Sequence, residues 1–89
     1  MARFELAAPE MAALGEGPVA ADLFYELGIR YSVGTAVPAD LVAAHKWFNI
    51  AALKGCKDAI RLRQEIAANM SAAEIAAAQR AARDWLTSH

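Results

Sequence analysis

The chain has 89 residues, 57% of them hydrophobic and 21% charged, with a formal net charge of −1. That length supports one domain and not two, since a core that offsets chain ordering needs roughly 50 or more residues. The hydrophobic content excludes a disordered chain, the near-neutral charge leaves no footprint for nucleic acid or anionic lipid, and 23 alanines favour helix over sheet. Cys56 is the single cysteine and cannot form an internal disulfide. The start Met-Ala-Arg-Phe-Glu lacks the order of a signal peptide, and charges or glycines interrupt every apolar run before the roughly 20 residues that a spanning helix needs. The expectation is a cytoplasmic, all-α protein with no membrane or nucleic-acid partner.

In chain order, residues 1–17 place Phe4, Leu6, Met11 and Leu14 around Pro9 and end in Gly15-Glu16-Gly17, a pattern that predicts an N-terminal capping segment. Pro18 is tolerated at a first helical position, and Leu23, Phe24, Leu27 and Tyr31 then trace an amphipathic helix to about Val33. Gly34 can close that helix in a left-handed conformation, and Pro38 marks the turn after it. Asp40 is placed to cap a second helix, whose apolar face runs through Leu41, Ala44, Trp47, Phe48, Ala51 and Ala52 up to Gly55. Ala59, Leu62, Ile66 and Met70 predict a third helix over about Lys57–Ala68. Ser71-Ala-Ala-Glu74 is a capping box with Met70 and Ile75 placed to staple across it, and it opens a fourth helix running to about Leu86.

The chain also repeats. Shifted along itself, Ala39, Ala43, Ala44, Trp47 and Phe48 fall on Ala77, Ala81, Ala82, Trp85 and Leu86. Small residues at matching positions let helices approach closely, and one large aromatic per second helix can fill the wedge between helix pairs. The expected architecture is a short α-solenoid of two antiparallel helix hairpins. It divides into a capping segment over 1–17, a repeat domain over 18–86 and a flexible C-terminal tail over 87–89.

The residues Ala21-x5-Leu27-Gly28-x2-Tyr31-x2-Gly34-x2-Val37-x2-Asp40-x3-Ala44-x2-Trp47-Phe48-x2-Ala51-Ala52-x2-Gly55 resemble one full Sel1-like repeat, a relative of the tetratricopeptide repeat. The unit from Lys57 keeps the alanine face and the aromatic but lacks the Leu-Gly and Gly-x2-Val-x2-Asp signatures, as a terminal capping repeat would. Sel1-like proteins are scaffolds and adaptors, so the resemblance implies protein binding and not chemistry. A unit of this size with a short Ser-His tail is also similar to small bacterial heat-shock regulators that activate the Lon protease through their extreme C-terminus. That similarity implies Trp85, Leu86, Thr87, Ser88 and His89 as partner-binding residues, with Lon as the partner.

The inventory of side chains agrees with a non-enzymatic protein needing no cofactor. His45 and Cys56 are the base and nucleophile to consider, and no metal set or catalytic triad can be assembled around them. Beside its apolar stripe His45 reads as a polar edge of packing, and Cys56 as a small, partly buried side chain that Lys57 could make redox sensitive. Phe24, Tyr31, Trp47 and Phe48 could line a groove for a partner helix, but a solenoid core needs such a layer in any case. Residues 1–53 carry three basic and six acidic side chains, and residues 54–89 carry six basic and four acidic. The basic set, Lys54, Lys57, Arg61, Arg63, Arg80 and Arg83, is either a solvated helix surface or a face that orients an acidic partner. After Leu86, poor helix formers and a terminal carboxylate at the negative end of the helix dipole predict a frayed tail. Two repeats share only one interface, which predicts a marginal monomer or a weak homodimer.

Overall fold

A computed structural model describes residues 18–34 and 37–88. The expected capping segment over 1–17 and the terminal His89 lie outside the described residues. Four helices follow in order: α1 over Pro18–Val33, α2 over Leu41–Leu53, α3 over Lys57–Ala67 and α4 over Ala72–Ser88. The all-α expectation holds, and the described residues contain no strand.

Local chemistry sets each boundary. Gly34 takes a φ of 73°, where an L side chain is disfavoured, and its N–H donates to the Arg30 carbonyl at 3.0 Å to close α1. Asp40 caps α2 by accepting the Ala43 N–H at 3.1 Å, while its own N–H donates to the Tyr31 carbonyl at 2.9 Å. That second bond ties the start of α2 to the end of α1 and fixes the hairpin. Gly55, at φ 110°, ends α2 in a Schellman turn: the Cys56 N–H donates to the Ala51 carbonyl at 2.9 Å and the Gly55 N–H to the Ala52 carbonyl at 3.1 Å. The capping box forms in both directions, with the Glu74 N–H donating to Ser71 Oγ at 3.1 Å and the Ser71 N–H to Glu74 Oε1 at 2.8 Å.

Packing makes α2 the central element. It lies extensively against α1, α3 and α4, whereas α3 and α4 lean on α2 far more than on each other. The seam expected inside a second hairpin is therefore slight. Alanines line the close approaches: Ala20, Ala44, Ala51, Ala59, Ala78 and Ala82 are all buried, and together they bring three neighbours against a single 13-residue helix. Against α1 the tolerance is smaller still, since a Cβ built on Gly28 would lie 2.5 Å from Phe48 Cε1.

The large side chains divide differently from the sequence expectation. Phe48 and Ile50 are the largest fully buried side chains, while Trp47 and Trp85, which the sequence offers as the aromatics that fill the wedge between helix pairs, are half-buried. Trp47 and Trp85 join Phe24 in a three-ring cluster at the rim. Phe24 stacks on Trp47 with centroids 5.8 Å apart, and Trp85 meets both rings edge-on, at 5.1 Å from Phe24 and 5.7 Å from Trp47. Rings this large seldom fit wholly inside so small a domain, and at the rim they still bridge α1, α2 and α4. Lys46 Nζ sits 4.2 Å from the Trp47 ring centroid, a cation–π contact.

Candidate functional site

The C-terminal helix departs from the expected frayed tail. α4 continues through Ser88, so Thr87 and Ser88 belong to its last turn. Both hydroxyls donate back to the Asp84 carbonyl, Thr87 Oγ1 at 3.0 Å and Ser88 Oγ at 2.8 Å. Back-bonding of this kind satisfies a carbonyl in the final turn and offsets the weak helix propensity of the two residues. The anchor lies one step earlier, where Trp85 and Leu86 are half-buried and pack against the core. Of the five residues implied as partner-binding, Trp85 and Leu86 thus serve the fold as well, and Thr87 and Ser88 are exposed.

An open cleft of about 390 Å³ lies beside this end of α4. Its lining comes from α2 (Asn49 and Leu53) and from α4 (Gln79, Ala82, Arg83, Leu86 and Thr87). Leu53 is 65% exposed, the most exposed of the large apolar side chains among the described residues. Asn49 is held in place by Arg63 of α3, whose Nη1 donates to its Oδ1 at 2.5 Å. Arg83 is the charged residue of the lining and forms no salt bridge among the described residues. In the sequence Arg63 and Arg83 belong only to a general basic face, and no local pattern marks Asn49 or Gln79. Leu53, an apolar residue off the stripe of α2, is the one local signal.

His45 is not at the edge of the packing, where the sequence placed it, but is 4% exposed within it. Its Nδ1 is buried and has no hydrogen-bond partner among the described residues. Burial holds its pKa below the usual 6.5, and the Arg63 guanidinium lowers it further. Cys56 is a free thiol, half-buried at the N-cap of α3, where it makes no side-chain capping bond. Among the described residues no group of His, Cys, Asp and Glu is placed to hold a metal ion, and no helix is long and apolar enough to cross a membrane.

No protein family, curated protein or solved structure matches the chain.

Proposed function

We propose that the chain is a non-enzymatic regulator whose helical body presents its C-terminal residues to the ATP-dependent Lon protease and activates that enzyme allosterically. The observation that carries this reading is the division within the last turn of α4. Leu86 is fixed against the core while Thr87 and Ser88 stand exposed, so a short polar end projects from a rigid helix. A partner can read such an end without unfolding the body that carries it. Activation then requires the end to bind a site distinct from the cleavage centre and to favour the protease's active conformation. A small body with a core built largely from alanine is also readily unfolded, and the proposal includes the chain's own degradation by Lon.

The body itself is proposed to be a Sel1-like repeat followed by a degenerate capping repeat, arranged as a short solenoid. Several residues of the resemblance have clear structural work: Gly28 admits Phe48, Gly34 closes α1, Asp40 caps α2 and Gly55 ends it. A second reading, an adaptor that binds its partner along a helical face, is favoured by the cleft with its exposed Leu53.

Binding to purified Lon separates the two readings. Because Trp85 belongs to the aromatic cluster and Thr87 lines the cleft, the informative truncation removes His89 alone and leaves both whole. Loss of binding with an unchanged circular dichroism spectrum supports the tail reading. Undiminished binding refutes it and leaves the helical face.

A further inference from the structure

The cleft between α2 and α4 combines three features that point to one kind of occupant. Its apolar lining comes from Leu53, Ala82 and Leu86, and its polar side chains, Asn49, Gln79 and Thr87, are uncharged. Among the described residues its only charge is the Arg83 guanidinium, and no carboxylate lines it. An open groove of this kind cannot enclose a small molecule over the 70–90% of its surface that ligand sites typically bury. It can take one or two side chains of an extended or helical segment laid across it.

We infer that this cleft is a docking site for an acidic peptide segment of a partner protein, one that sets an apolar side chain such as Leu or Ile against Leu53 and Leu86 and a carboxylate against Arg83. Arg63 acts as a positioning residue: by holding the Asn49 amide oxygen it leaves the amide N–H groups free to meet a peptide carbonyl. The inference rests on the helical-face reading; Leu86 and Thr87 are shared with the tail set, so the two readings are separated at Leu53 and Arg83, which line the cleft alone, and at His89, which belongs to the tail alone. The guanidinium supplies direction and register, since a carboxylate can meet it through two parallel hydrogen bonds, and the apolar lining supplies the area removed from water.

The test is selection of a random 12-residue peptide library, displayed on phage, against the immobilised full chain. Enriched peptides are expected to carry Asp or Glu within four residues of Leu, Ile, Met or Phe. Their affinity should fall roughly tenfold or more on Arg83→Glu, where like charges meet, and on Leu53→Ser. Replacing the peptide carboxylate by Lys should restore binding to Arg83→Glu and to no other form. Both substituted side chains are exposed, so each variant should keep the parent melting midpoint, and Arg83→Ser serves as a milder second variant. Deleting His89 should leave peptide binding unchanged, which keeps failure of the cleft distinct from failure of the tail. The absence of acidic enrichment, or equal binding of the peptides to parent and Arg83→Glu, would overturn the inference.

Discussion

Replacing Gly28 by alanine should destabilise the fold only because Phe48 stands opposite it. A Cβ at position 28 would lie 2.4 Å from Phe48 Cδ1, 2.5 Å from Cε1 and 2.9 Å from Cγ, against the roughly 3.5–4.0 Å at which carbon atoms attract. Phe48 has no exposed surface, so its ring cannot swing clear without displacing another core residue. α1 and α2 must instead separate by about 1 Å along their contact, and overpacking of this kind costs roughly 1–3 kcal/mol. In the opposite sense, alanine in a helix interior is better than glycine by up to about 1 kcal/mol. The net expectation is a loss of about 1–2 kcal/mol with Phe48 present. With Phe48→Ala as background the clashing ring atoms are gone, and Gly28→Ala should become stabilising by up to about 1 kcal/mol. Phe48→Ala itself costs roughly 3–5 kcal/mol, so the four-member cycle is best measured by urea denaturation in a fixed concentration of a stabilising osmolyte. If Gly28→Ala has the same sign in both backgrounds, the close approach of α1 and α2 is not what requires glycine.

Three further outcomes follow from the core and its caps. The lowered pKa of His45 means that the unfolded chain binds the proton more readily than the folded one, so the contribution of His45 to stability should decline as pH falls through and below about 6.5. Urea midpoints of the parent should fall between pH 7 and pH 5.5, and His45→Leu should remove most of that slope; an unchanged slope would show that other groups carry it. Ser71→Ala should cost about 1 kcal/mol by removing the acceptor for the Glu74 N–H, seen as a lower urea midpoint at an unchanged m-value. Trp47→Ala should cost less than Phe48→Ala in the same denaturation assay, because the indole is half-buried and the phenyl ring wholly so; the reverse order would contradict the placement of the core.

The helices were legible in the sequence because their signals are local. Asp40, Gly34, Gly55 and the Ser71–Glu74 box each act within a few residues of themselves, and each appears in the structure with the bond or the backbone angle expected of it. Facing was harder to read. Trp47 and Phe48 are neighbours on one helix, and only the approach of Gly28 from α1 decides that the phenyl ring takes the interior. His45 could be placed at the edge of a stripe by period alone, but its burial depends on α2 receiving neighbours on three sides. The tail looked frayed on helix propensity, which omits the hydroxyl back-bonds to Asp84 and the anchoring of Leu86. The cleft was not legible, since Asn49 and Leu53 meet Gln79, Arg83 and Leu86 only through tertiary packing, and Arg63 reaches Asn49 across 14 positions of sequence.

The central claim is that the C-terminal end, and not the body that bears it, acts on the protease. The most direct measurement is the rate at which purified Lon degrades a third-party protein substrate in the presence of the intact chain, of the chain lacking His89, and of the same chain with its C-terminus masked by a tag. A single terminal residue carries little folding energy, so all three forms should have the same circular dichroism melt. Stimulation is expected from the intact chain and none from the other two. Equal stimulation by the intact and the His89-deleted chains would contradict it.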